Sequence, residues 1–225
     1  MISIVTGASS GIGQAIYNYL KEQTEVDIGR VIGVSRRGPD VSLDLARPDR
    51  IYKLLAQVKF TGEKIKLLVN NAGVLLPTEE ERHRYRELFE VNLFAAFELI
   101  HLCSPFMSKG SSIINIGSHN ATRPKVDYPL YSASKAALVA MTAAMTIPLG
   151  RQGVRINCIN PGYFLTPMVP DHEIMGAEEL KSFVPIGRDA RAEEIVPAVR
   201  MLLTSDYMTG AIIDIDGGLQ WKPAQ

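Results

Sequence analysis

The chain has 225 residues, a length within the range of one α/β domain that buries most of its apolar surface. Lysine plus arginine and aspartate plus glutamate both number 24, so there is no basic field to recruit nucleic acid, and no nucleic acid partner is expected. The two cysteines, Cys103 and Cys158, lack C-x-x-C spacing, which argues against a disulfide framework or a cysteine metal site and suits a reducing cytosol.

The first apolar run, 2–6, reads as a strand that enters TGASSGIG (Thr6 to Gly13) directly. Met1 leaves no room for a signal peptide ahead of it, and no uninterrupted apolar run reaches the ~18 residues of a bilayer span; a cytoplasmic location without membrane contact is expected. The turn fits two chemistries. Gly7-Ala8-Ser9-Ser10-Gly11 is G-x-S-x-G, the nucleophile elbow of a hydrolase. Gly7, Gly11 and Gly13 also form a glycine turn ahead of a helix expected over 11–23, whose free N–H groups suit a pyrophosphate. An elbow serine needs an oxyanion donor from an earlier strand–helix loop, yet only five residues precede Thr6. His83, His101, His119 and His172 stand in no recognisable triad context. A turn of purely structural use is the third reading. The spacing G-x-x-x-G-x-G is not the literal dinucleotide fingerprint.

A second strand, 30–35, ends Gly33-Val34-Ser35-Arg36-Arg37, and a third, 41–43, follows after only five residues. Adjacent parallel strands normally need a crossover of about a dozen residues, usually helical. The link therefore predicts a stub third strand, a missing outer helix and an exposed adenosine end of any bound dinucleotide. A helix at 48–58 precedes a strand at 66–70 that runs into NNAG (Asn70 to Gly73). A long helix at 79–107 carries one lone polar residue, Asn92, in FEVNLFAAFEL, and a strand at 112–117 ends at Ser118. In YSASK, on a helix expected over 130–150, Tyr131 and Lys135 stand four apart and share a face. A strand at 155–160, a helix at 192–203 and a strand at 211–215 complete the order. Near-continuous apolar strands alternating with helices predict a single α/β domain over 1–225 with a parallel sheet covered on both faces. Taken singly, Tyr131 and Lys135 read equally as surface residues, Ser118 as a cap and Asn92 as a satisfied core amide.

Taken with TGASSGIG and NNAG, the set Asn92, Ser118, Tyr131 and Lys135 resembles the classical short-chain dehydrogenase/reductase family. NCINPGYFLTP (Asn157 to Pro167) is similar to the family's strand and loop beside the nicotinamide, and TGAIIDIDGGL (Thr209 to Leu219) to its last strand. The resemblance runs from Ile2 to Gly218. It implies a Rossmann-type doubly wound fold and hydride transfer between a nicotinamide cofactor and a small carbonyl or alcohol. Tyr131 is the implied acid/base, and Ser118 the donor to the substrate oxygen. Lys135 would hold the nicotinamide ribose, and Asn92 a water linked to Lys135. An ordinary phenol, with a pKa near ~10, would need the Lys135 ammonium and an oxidised nicotinamide to bring it toward working pH.

The resemblance also implies the cofactor contacts. Gly7, Gly11, Ile12 and Gly13 would surround the pyrophosphate, with Ser9 and Ser10 supporting the turn. Asp44 and Leu45 would meet the adenine, and Asn71, Ala72 and Gly73 would line the cleft. Pro161, Gly162, Phe164 and Thr166 would flank the nicotinamide. The second strand's end, at Ser35 and Arg36, lacks the acid of NAD-preferring sites, and the Arg36 guanidinium can pair with a 2′-phosphate. NADP(H) is favoured and NAD(H) stays open, since Ser10 stands where many NADP users carry a second basic residue. His119, Tyr128, Tyr163, Phe164 and Met168 are the implied pocket walls, under a closing segment at 168–188. His119 reads either as a substrate contact or as a solvent-facing loop residue. The two long helices imply a homo-oligomer, dimer or tetramer. The alternative function is a non-catalytic dinucleotide-binding sensor or scaffold.

Overall fold

A strand covered on both faces reads as a continuous apolar run, and β1 (Ile2–Thr6) is buried at every position. The computed structural model describes residues 1–47, 49, 51–54, 56, 62–76, 78–169 and 182–221. After β1, α1 (Gly11–Glu22) buries Ile16, Tyr17 and Leu20, the one-sided spacing of a helix lying on a sheet. β2 (Arg30–Ser35), β3 (Val41–Ser42) and β4 (Ile65–Asn70) follow. Then come α2 (Thr78–Phe89), a π-helical turn (Glu90–Phe94) and α3 (Ala95–Cys103). β5 (Met107–Ile116), α4 (Pro129–Arg151), β6 (Arg155–Pro161), α5 (Val196–Thr204) and β7 (Ile212–Ile215) complete the order.

The sheet is seven-stranded, in the order β3-β2-β1-β4-β5-β6-β7, and every pairing is parallel. One face packs Leu99, Ile100, Cys103 and Leu149 of α3 and α4 against Ile4, Leu68 and Ile113. The other packs Ile16, Leu20 and Leu202 of α1 and α5 against Val5, Val69 and Ile114. This is the doubly wound Rossmann-type arrangement in a single domain. The chain winds outward from β1 in one direction and, from β4, in the other. The carboxyl ends of β1 and β4 therefore flank the topological switch point, the crevice where such sheets take ligands.

The short link behaves as its length demands. β3 has two residues, paired as Val34↔Val41 and Ser35↔Ser42, and no helix intervenes. The chain doubles back on itself instead, with Asp40 N–H donating to Gly33 O (3.3 Å) and Leu43 N–H to Ser35 O (2.8 Å). The Asp40 carboxylate accepts from the Gly33 N–H (2.7 Å) and from the Tyr17 hydroxyl (2.9 Å). A Cβ on Gly33 would come within 2.6 Å of Pro39, so the missing side chain is what lets the link fold flat on the strand.

Two expectations need correction. The helix expected at 79–107 is not continuous: it opens into the π turn at Asn92, and its last residue already belongs to β5. A 3-10 turn at Ala192–Ile195 replaces the start of the helix expected at 192–203. Glu80–Phe106 (27 residues, mean hydropathy 1.2) and Pro129–Arg151 (23 residues, 1.3) are long and apolar enough for a bilayer span by length and composition, and charged residues interrupt both. Of the helix expected at 48–58, the described residues are helical and bury Ile51 and Leu54, and the rest lies outside the described residues. So does most of the segment 168–188.

Candidate active site

A cavity of about 730 Å³ opens at the switch point, and it is lined from the glycine turn to the start of α4. Gly7 and Gly11 have φ values of 68° and 53°, a left-handed region that side chains disfavour. At Gly13 the obstacle is contact rather than backbone: a Cβ would collide with the Gly7 carbonyl and Asn71. Ser10 begins α1 without a side-chain cap, which leaves the first N–H groups of the helix facing the cavity. Ser9 is exposed, and among the described residues no histidine or acid is bonded to it, so the elbow reading fails for want of a base.

Thr6 ties the two sides of the crevice together. Its hydroxyl accepts from the N–H groups of Asn71 and Ala72, both at 3.0 Å. Asn71 returns its amide to Thr6 O at 2.9 Å. The Asn71 side chain thus fastens the glycine turn to β4, while the residue still lines the cavity with Ala72 and Gly73. Across the opening, Thr166 packs over Gly11, where an added Cβ would stand 3.0 Å from it. Pro161, Gly162 and Phe164 continue that wall.

At the far end lie Ser35, Arg36, Asp44 and Leu45. Asp44 Oδ1 accepts from the Ala46 N–H (3.1 Å), which fixes the carboxylate at the rim. Among the described residues, the buried Ser35 Oγ has no hydrogen-bond partner. Arg36 and Arg37 are exposed and form no ion pair among the described residues. Glu87, across the cleft, has its carboxyl held below the usual range mainly by hydrogen bonds from Arg84 and, last, by the charge of Arg36.

Ser118, Tyr131 and Lys135 meet at the inner end. Ser118 closes the loop after β5, and its Oγ accepts from the Asn120 N–H (3.2 Å). Tyr131 is 7% exposed; burial pushes its phenol up, and a hydrogen bond with the Ser118 side chain acts in the opposite direction. Lys135, one turn later, is 4% exposed, and its Nζ donates to Ile116 O (2.9 Å) and lies 5.9 Å from the centre of the Tyr131 ring. Burial holds this ammonium down at about 8. Desolvation thus acts against the charged form of both groups.

Asn92 stands in the π turn with both polar ends of its side chain engaged. Oδ1 accepts from Val74 N–H (2.8 Å), and Nδ2 donates to Val74 O (3.0 Å) and Ser134 Oγ (3.1 Å). Its side chain anchors the loop after β4 to α4. A π turn at such a residue is a common way to turn a side chain inward. Tyr128 is buried, Tyr163 and Met168 line the cavity, and the half-buried His119 lies on its wall. Burial pushes the His119 imidazole down from its ordinary value.

Two supporting residues escaped the sequence analysis. Asn160 Oδ1 accepts from the Ser118 N–H (3.2 Å), and its Nδ2 donates to Asp214 Oδ1 (3.0 Å). Glu81 of α2, 1% exposed, accepts from the N–H groups of Leu130 (3.1 Å) and Tyr131 (2.9 Å) at the start of α4. Asn160 lies within a motif already singled out; Glu81 stands about 50 residues from its partners, where no spacing rule reaches.

Residues 8–220 match the family model described as enoyl-(acyl carrier protein) reductase. Carbonyl reductase family member 4 of Xenopus laevis is 28% identical over 235 residues, which span 97% of this chain and 98% of that protein. Among solved structures, a 4-hydroxyisoleucine dehydrogenase mutant complexed with NADH and succinate superposes with a TM-score of 0.87 and 25% identity over the whole of both chains. A blue fluorescent protein from a metagenomic library, in complex with NADPH, gives a TM-score of 0.85 and 28% identity over 97% of each.

Proposed function

Because the chain belongs to the short-chain dehydrogenase/reductase family of oxidoreductases, we propose that it transfers a hydride between NADP(H) and a small carbonyl or alcohol, with Tyr131 as the acid/base. The observation that carries this reading is the buried meeting of Ser118, Tyr131 and Lys135 at the inner end of the cleft.

The glycine turn fits the cofactor: Gly7 and Gly11 keep left-handed backbone at the cavity wall, and the open start of α1 presents N–H groups to a pyrophosphate. At the adenosine end, Arg36 and Arg37 favour a 2′-phosphate, and the unpartnered Ser35 hydroxyl lies beside them. The bound nicotinamide supplies or accepts the hydride. In reduction, Tyr131 gives its proton to the oxygen that gains negative charge, and in oxidation it takes one back. Ser118 donates to the same oxygen and orients it. Lys135 holds the nicotinamide ribose and, when charged, stabilises the phenolate. Burial keeps the phenol protonated around neutral pH, the form needed to reduce a carbonyl. Exposed apolar residues on the π turn, α3 and α4 support a further proposal, that the protein works as a homo-oligomer.

The test is nicotinamide absorbance across a panel of aldehydes, ketones and alcohols, with NADPH and NADH compared. Tyr131→Phe should reduce turnover by about 10²–10⁴-fold while NADPH binding persists. Retained turnover in that variant would remove Tyr131 from the chemistry, and equal efficiency with both cofactors would remove Arg36 from cofactor selection. Cofactor binding with no turnover across the panel would favour a sensor.

A further inference from the structure

His119 follows Ser118 directly, and its Nδ1 lies 3.3 Å from the Pro161 carbonyl oxygen. A carbonyl oxygen accepts and does not donate, so Nδ1 carries the proton. In the neutral ring, the other nitrogen, Nε2, then holds a bare lone pair. Among the described residues no group is bonded to Nε2, and His119 lines the cavity. The ring cannot easily turn away. It packs tilted on Tyr163 at 5.2 Å between centres, and Tyr163 meets Phe183 edge-on at 5.5 Å. Burial favours the uncharged imidazole and so preserves the lone pair.

The neighbouring polar groups are of the opposite kind. Ser118 and Tyr131 both carry hydroxyl hydrogens, and the Lys125 ammonium lies against the Tyr128 and Tyr163 rings at 5.4 and 5.7 Å. The reacting oxygen of a substrate is already served by Ser118 and Tyr131. A lone pair beside them calls for a second donor on the substrate. We propose that His119 is a specificity-determining residue whose Nε2 accepts a hydrogen bond from a second hydroxyl of the substrate, so that hydroxylated carbonyls and polyols are taken ahead of their deoxy analogues. This rests on the hydride-transfer reading above. A substrate with a methyl group in place of that hydroxyl leaves the acceptor desolvated and unpaired.

The experiment compares kcat/KM with NADPH for hydroxyacetone against butanone and for glycolaldehyde against propanal, pairs in which a hydroxyl replaces a methyl. The wild-type protein should favour the hydroxylated member by about tenfold or more. His119→Phe and His119→Leu should bring that ratio close to one. His119→Gln, which carries an amide oxygen near the position of Nε2, should keep part of it, a rescue that simple loss of packing would not produce. A wild-type ratio near one, or a ratio unmoved in both Phe and Leu variants, overturns the inference while leaving hydride transfer standing. Silence with all four compounds also overturns it, and the hydride-transfer reading falls only if the wider panel is silent too.

Discussion

Lys135 carries an electrostatic cost for its burial. Its ammonium is lowered from the ordinary 10.5 to about 8 because burial disfavours charge. Between those two values the unfolded chain keeps a proton that the folded chain has released, so stability should rise with pH across that window. Tyr131 acts in the reverse sense above pH 10: its raised phenol stays protonated after the unfolded one has ionised, and stability falls. Denaturant unfolding of the ligand-free protein at several pH values tests this. Lys135→Met should flatten the rise between about 8 and 10.5, and an unchanged slope would mean that another group causes it. The pairing of Tyr131 with Lys135 was legible because a four-residue step on a helix keeps both on one face. Their ionisation was not legible, since the phenol's environment is made by residues distant in sequence.

The start of α4 shows how one element is held for another's use. Tyr128 provides no side-chain cap, and Pro129 has no N–H to satisfy. Ser132 N–H bonds to Tyr128 O, and the two remaining donors, on Leu130 and Tyr131, go to the Glu81 carboxylate. Glu81 thus completes from α2 the capping that α4 lacks, and it fixes the backbone that carries Tyr131. Glu81→Ala leaves one buried and one part-buried N–H group without this acceptor and should destabilise the protein by about 1–3 kcal/mol in urea unfolding. Glu81→Gln retains an acceptor and should lose less. Equal losses would show that packing, rather than the hydrogen bonds, sets the value. This cap had no local signature. The π turn also went unread, because a hydrophobic pattern does not separate a continuous helix from one that widens around Asn92.

The sheet itself was the most legible part. Apolar runs of strand length alternating with helices leave few arrangements, and the link at 36–40 declared its missing helix by length alone. What did not show was how the link closes, because the bonds of Asp40 to Gly33 and Tyr17 join three separate elements. The surface likewise needed coordinates. Phe94 and Phe97 are 47% and 43% exposed on the π turn and α3, and Ile147 is 65% exposed on α4, as suits helices that pack against a second copy. Light scattering on a size-exclusion column should give a dimer or tetramer for the wild type. The double variant Phe97→Glu with Ile147→Glu should shift the mass to the monomer; a wild-type monomer would reject the proposed association.

β3 pairs with only the last two residues of β2, so the rest of that outer margin has no neighbouring strand to complete it. Margins of this kind invite a foreign backbone to add on and start a fibril. By filling the Gly33 amide with a charged side chain, Asp40 puts a negative group where an intruding strand would have to dock. The same short link that leaves out a helix therefore comes with its own safeguard against clumping.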